Sequence, residues 1–361
     1  MSPVTFFERV RGALWGIFIA DALSMPAHWY YDLNALQRDF GYLTTYQAPK
    51  TIHPGSIMSL SNTGGHGRGG QSGHIIGDVI NHGKHEAWGK AGVHYHQGMI
   101  AGENTLNALC ARLVMRSIAA EGGYSTDRFL DDYVRFMTTP GSHNDTYAES
   151  FHRDFFSNWD RGVPPAECAG REAHNTATVG GLVMLPPVII GSMKKGLGGA
   201  KRDAAMHLQL THRSRELARS AAVYTELLFN VMSGEPLQEA ALFAAEALNL
   251  DLDKLVERDL PDEYVIGRIF GPACYISDAL PSILYLAYKY ADSFEDAVVA
   301  NTNSGGENCH RGSALGALLG AANGVSKIPP HFISGLVASH EIHEEIERFI
   351  VSVADIRTRE L

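Results

Sequence analysis

Apolar residues recur along this 361-residue chain at three- and four-residue spacing, which obliges it to bury one face of helix after helix. Leu106, Leu109, Leu113 and Val114 form one stripe, and Leu217, Ala221, Tyr224, Leu228 and Val231 a second. Leu237, Ala241, Ala244 and Leu248, and then Ile276, Leu280, Ile283, Leu284 and Ala287, continue the pattern. Helix starts are marked as well: Ser125-Thr126-Asp127 precedes the run from Phe129 to Phe136, Pro236 heads a helix over 236–248, and Ser293 stands before Glu295-Asp296. Alternating patterns are scarce, and 41–46 and 264–270 are the only weak strand candidates. The expectation is an all-α fold forming one domain over 1–361, because no repeat and no Pro- or Ser-rich linker divides the chain.

Composition narrows the function. With 45% hydrophobic and 19% charged residues the chain is not disordered, and a net charge of −10 argues against a general nucleic-acid binder. Cys110, Cys168, Cys274 and Cys309 form no CxxC pair, so neither a zinc cage nor a disulfide framework is suggested, and a reducing, cytoplasmic location fits best. The opening MSPVTFFERVRGALWGIFIADAL has charges ahead of a short apolar run broken by Asp21; it reads as the first core helix, not as a signal peptide or membrane span.

One region departs from the helical pattern. Between Ile52 and Gly98 the periodicity fails, and Ser61 to Gly73 packs six glycines into thirteen residues, a Gly/His-rich insertion at about 52–98 that reads either as a mobile surface loop or as a loop over a ligand. It matches neither the P-loop nor the dinucleotide fingerprint. Three other places combine polar side chains with a helix end. Gly12, Gly16 and Ala20, in the stretch Gly12 to Pro26, let a neighbouring helix approach closely. Gly102-Glu103-Asn104-Thr105 opens a helix over 105–121, and Gly305-Gly306-Glu307-Asn308-Cys309-His310-Arg311 opens a helix of small residues that runs through Gly316 and Gly320.

On these motifs the chain resembles the ADP-ribosylglycohydrolase family. The family's Gly-Ala-hydrophobic opening that ends in Gly-Asp-Ala-Leu-Gly-x-Pro is similar to Gly12–Pro26. Its Thr-Asp-Asp-Thr motif falls on residues 102–105, and its Gly-Gly-Asp-Thr-Asp-Thr motif on 305–310. Its Gly-Asn-Gly and Thr-His segments correspond to Ala173-His174-Asn175-Thr176 and Thr211-His212. The resemblance implies a compact, orthogonal multi-helix fold and a hydrolase that cleaves the bond at the anomeric carbon of ribose in a small-molecule or protein-linked ADP-ribosyl or related ribosyl conjugate.

The departures bear on the chemistry. In the family the two aspartate motifs hold a pair of Mg²⁺ ions, whereas here the matching positions carry Glu103, Asn104, Glu307 and Cys309, with about half the carboxylates. One divalent metal, a different metal that accepts His310 and Cys309, or none are the three outcomes, and the candidate ligands are Glu103, Asn104, Glu307, Cys309 and His310. Bond cleavage through a cationic sugar needs a carboxylate or held water and a proton donor. The resemblance assigns Glu307 to the first role, Glu103 to ligand or acid, and His310 to proton transfer. His174, Asn175, His212, Arg311 and Asp145 are the candidate substrate contacts. Arg311 reads either as a diphosphate contact or as a partner of Glu307, and Cys309 either as a buried small residue or as a thiol activated at a helix start.

Two polar clusters fall outside the motifs. His82, His85, His94 and His96 admit a His-x-His metal pair or ordinary solvated or stacking rings, and Gly141 to Asp154 reads as a helix capped by Ser142, Asn144 or Asp145, with His143, Asp145 and Glu149 toward a cleft. Trp29, Tyr30, Tyr147 and His152 serve either as stacking surfaces or as packing. On the segments 27–32, 143–147 and 307–311 the chain is, within the family, most similar to the divergent branch that includes the J1-crystallins, which brings in a second reading of a different class: a non-catalytic ligand-binding or crystallin-like protein. Charge and helical surface are compatible with a monomer or a dimer.

Overall fold

In a computed structural model, which describes residues 4–358, the chain is all-α. Among the described residues only isolated bridges interrupt the helical architecture, such as Ile52 with Val93. Its centre is an antiparallel pair of helices, α1 (Phe6–Ser24) and a later one (Asn308–Asn323), both buried along most of their length. Glycines set their separation: a Cβ on Gly12 would lie 2.0 Å from the Gly320 carbonyl oxygen, and one on Gly16 would lie 2.0 Å from that of Gly316. The stripe of small residues therefore does what its spacing predicts, letting two backbones touch where any side chain would hold them apart. Thr5 and Glu8 close the start of α1 with reciprocal hydrogen bonds.

Around this pair stand the helices Leu106–Glu121, Arg215–Met232, Ile276–Lys289 and Phe294–Asn303. Their apolar stripes face a single continuous cluster that runs from Val10 to Ile350. Tyr224 donates its hydroxyl to the Ala314 carbonyl at 2.8 Å, tying one helix to the central pair. Arg112 grips Glu345 with two hydrogen bonds and holds the C-terminal helix Ser339–Thr358 against Leu106–Glu121. Ser125 and Ser293 cap their helices through Arg128 and Asp296, as their positions suggest.

Three expectations are corrected. Neither 41–46 nor 264–270 is a strand; Val265–Phe270 continues a short helix as a wide turn, with Val265 and Ile266 buried and Gly271 ending it at φ 115°. A short apolar run does not distinguish helix from strand by period alone. The segment after Ser142 remains non-helical up to Glu149, and the helix begins at Ser150. Asp145 caps a different helix, accepting from the Leu106 amide at 2.8 Å. The third concerns the histidines of the glycine-rich region. Of the solvated and stacking alternatives the first fails: His94 and His96 are buried, with His94 on the Pro26 carbonyl and the His96 ring stacked on that of His28. No helix among the described residues is long and apolar enough to cross a membrane.

Candidate active site

The central helix pair ends at a polar cluster. Beyond α1 the chain turns through Met25–Ala27 and presents His28 and Trp29, and Trp29 holds a left-handed φ of 62° that an L side chain rarely adopts. Opposite, Gly305 and Gly306 are both left-handed, at φ 63° and 61°. A Cβ on either would strike a carbonyl oxygen, that of Tyr30 or of Pro272. This turn pairs with the Trp29 loop through Trp29 N to Gly306 O at 2.7 Å and Gly306 N to Tyr30 O at 2.8 Å. It delivers Glu307, buried, to the start of the helix Asn308–Asn323.

Glu307 has a full set of partners. Its Oε1 lies 2.8 Å from His28 Nε2 and 2.8 Å from His310 Nδ1, while Oε2 accepts from the Trp29 indole N–H. His310 Nδ1 is also 2.7 Å from Glu149 Oε1. On the other side His28 Nδ1 meets His96 Nε2 at 2.7 Å, and His96 Nδ1 meets Asp145 Oδ1 at 2.8 Å. A buried string of close contacts thus runs from Glu149 through His310, Glu307, His28 and His96 to Asp145. Burial opposes charge on His310, but Glu307 and then Glu149 outweigh it and hold its pKa well above the ordinary value. Burial likewise opposes the Glu307 carboxylate, and His28 and His310 overcome it. Burial pulls His28 down to about 4.

A cavity of about 520 Å³ opens beside the string. Glu149 reaches its wall, with Trp29, Tyr95 and Tyr147 as aromatic sides, and Arg68 and His66 of the glycine-rich loop at its edge. That loop is therefore the covering of a cavity. Of the expected substrate contacts, His174 and Asn175 line it, with His174 Nε2 against the Tyr275 hydroxyl.

Other expected residues lie elsewhere. Glu103 is turned outward, accepting from the Ile100 amide at 2.6 Å and from the Asn144 amide group, and is not in the string. The Asn104 amide donates to Asp21 Oδ2 and Phe18 O. Arg311 is buried and spends its guanidinium on Asn301 and the Gly305 carbonyl, bracing the turn and not facing the cavity. His212 is buried against Phe151 and lies off this cavity. Asp145 sits at the far end of the string. Burial, together with Asp21 and Glu307, pushes the Cys309 thiol well up, the reverse of an activated nucleophile. Motif reading gives no role to His28, names His96 only within a His-x-His pair, and places Glu149 toward a cleft without a role.

The sequence profile of the ADP-ribosylglycohydrolase family matches residues 2–359. The chain belongs to that family. A solved structure titled "ADP-ribosylglycohydrolase-related protein complex" covers 96% of this chain and 99% of its own at a TM-score of 0.60 and 17% identity, a likeness of fold. A search of curated proteins gives no match. Family membership supports a glycohydrolase-type function, and the clustered histidine and glutamate side chains are compatible with a divalent metal. The pair of Mg²⁺ ions implied by the family resemblance does not fit these residues. Glu103 and Asn104 are engaged elsewhere, and two of the three donors in each converging group are imidazoles, a poor match for a hard cation.

Proposed function

We propose that the chain hydrolyses the glycosidic bond at the anomeric carbon of ribose in an ADP-ribosyl or related ribosyl conjugate, with Glu149 as the carboxylate that meets the sugar. One observation carries this reading: Glu149 lines the cavity of about 520 Å³ while its Oε1 lies 2.7 Å from His310 Nδ1. A departing sugar develops positive charge, and a held carboxylate stabilises it or takes a proton from the attacking water. Glu149 has that position, and Thr178 Oγ1 donates to its other oxygen at 3.3 Å. Glu307 lies behind it and positions His310 and Trp29. His174, which lines the same cavity, is assigned the protonation of the leaving atom. Arg68 supplies positive charge for a phosphate, and the aromatic walls take a ring.

The experiment is release of free ADP-ribose from a panel of N- and O-linked conjugates. Glu149→Gln keeps the shape and removes the charge, and the expected loss is about 100-fold or more. Turnover within a few fold of wild type would reject Glu149. Binding of ADP-ribose with no turnover of any conjugate would replace this reading with that of a ligand-binding member of the fold.

A further inference from the structure

We propose that His28, Glu307 and His310 form a binding site for one transition-metal dication of the zinc class, with Glu149 as a fourth oxygen beside it. His28 Nε2 and His310 Nδ1 each lie 2.8 Å from Glu307 Oε1, one ligand atom of each of the three lies within 4.8 Å of the others, and all three residues are buried. Glu307 and His310 stand one turn apart on the same helix face, and His28 comes from the loop after α1, so two rigid elements present the donors. Two imidazoles and a carboxylate are the donor set of catalytic zinc sites and are unsuited to magnesium.

Two independent features of the site point to an ion. The first is a pair of unpartnered atoms: His310 Nδ1 and Glu149 Oε1 are buried and 2.7 Å apart, yet neither makes a hydrogen bond of acceptable angle. A dication facing both atoms displaces the proton held between them and meets the nitrogen lone pair and the carboxylate oxygen together. The second is a proton count. Asp145, His96, His28 and Glu307 make three consecutive contacts, at 2.8, 2.7 and 2.8 Å, each of which needs one proton if the carboxylates are ionised. Two neutral imidazoles carry only two. With a cation on His28 Nε2 the count closes: His28 Nδ1–H donates to His96 Nε2, His96 Nδ1–H donates to Asp145, and both rings stay neutral as metal binding requires. A ligand histidine whose second nitrogen is held through a further group ending on a carboxylate is the usual outer support of a metal centre.

A second convergence, of His28, His96 and Cys309, shares His28 but would use the ring nitrogens that already face each other. It is the weaker arrangement, since the ring contact between His28 and His96 would have to be broken.

The site stands on geometry and not on the hydrolase reading, and its test needs no turnover. The full chain is stripped with a chelator, offered Zn²⁺ or Mg²⁺, desalted, and its metal measured by plasma mass spectrometry. About one equivalent of Zn²⁺ and no retained Mg²⁺ are expected, with a raised thermal midpoint for the zinc form. His310→Gln and His28→Gln, checked for helicity by circular dichroism, should each lower zinc retention at least tenfold. Because either variant can also weaken folding, Co²⁺ is titrated into the wild-type chain, where visible d–d bands that saturate at one equivalent are expected. Zinc retention below a tenth of an equivalent, equal retention by folded His310→Gln, or the lack of saturable cobalt bands would each overturn the proposal.

Discussion

His28 Nε2 lies 2.8 Å from Glu307 Oε1, which joins the end of the first helix to the start of the helix packed along it. The contact is the last step of a register that begins far from the site. Gly12 opposes Gly320, Gly16 opposes Gly316, and Gly312 approaches Ala20, so each step toward the C-terminus of α1 is one toward the N-terminus of its partner. The glycines therefore set the separation of the backbones and also deliver two polar side chains to one point. Site geometry and helix packing are in this sense one property of the sequence.

Gly16→Val tests that relationship. Its Cβ would meet a backbone carbonyl, which no rotamer change relieves, so the helices must part. The expected cost is about 3 kcal/mol, at the upper end for overpacking, with a loss of any activity in the fraction that stays folded. Gly123→Ala, with open space around it and no positive φ, should change stability by no more than about 0.5 kcal/mol. Urea unfolding midpoints compare the two, and equal midpoints would refute the packing argument.

Asp145→Asn isolates the far end of the string. Burial raises the Asp145 carboxyl, but His96 and the amides of Leu106 and Tyr147 outweigh it and bring it to about 2. The amide variant keeps the shape yet cannot accept from His96, Leu106 and Tyr147 together, which strands a buried donor. A loss of about 2–4 kcal/mol is expected in denaturant unfolding at pH 7. A change under about 0.5 kcal/mol would show the string to be dispensable for stability.

What is legible in the sequence follows the range of the interaction. Ser125 and Ser293 are readable as caps because their partners lie three residues away. Gly12 and Gly16 are readable because helical spacing is regular, although nothing local names Gly316 and Gly320 as the partners. The partners of Asp145 are not readable, since His96 and Leu106 are 49 and 39 residues distant. Glu103 shows a different limit: a matched motif fixes a position along the chain but not the way a side chain turns, and the nearby Ile100 amide captures it. His28 carries no local signal, because the carboxylate it meets lies 279 residues along the chain.

Arg311→Lys should behave as a drastic change. The guanidinium makes three bonds, from Nε to Asn301 Oδ1 at 2.7 Å and from one terminal nitrogen to the carbonyls of Asn301 and Gly305 at 3.2 and 3.0 Å. An ammonium is a compact point and cannot span that fork, and an incompletely paired buried charge costs about 3 kcal/mol or more. Thermal unfolding should show a fall of several degrees. A midpoint within one degree of wild type would mean that the Gly305 turn holds without its brace.

Acid should destabilise the fold well before its carboxylates titrate. Burial lowers His207 to about 3, and burial, with His207 and His310 adding to it, lowers His212 to about 3, against an ordinary value of 6.5. The sign follows from proton counts: between pH 6.5 and about 3 the unfolded chain binds a proton at each position that the folded chain does not, so stability is complete above 6.5 and falls as pH drops. Each such histidine contributes a slope of up to about 1.4 kcal/mol per pH unit. His207 separates this effect cleanly, since its Nε2 has no partner and its Nδ1 meets only the partly exposed hydroxyl of Tyr124. His207→Phe keeps the ring against Phe129 and removes the proton. Its stability profile, measured by urea unfolding from pH 7 to pH 4.5, should be shallower than that of wild type by about one proton. Parallel profiles would mean that His207 is already charged in the folded chain, and that the acid sensitivity comes from elsewhere.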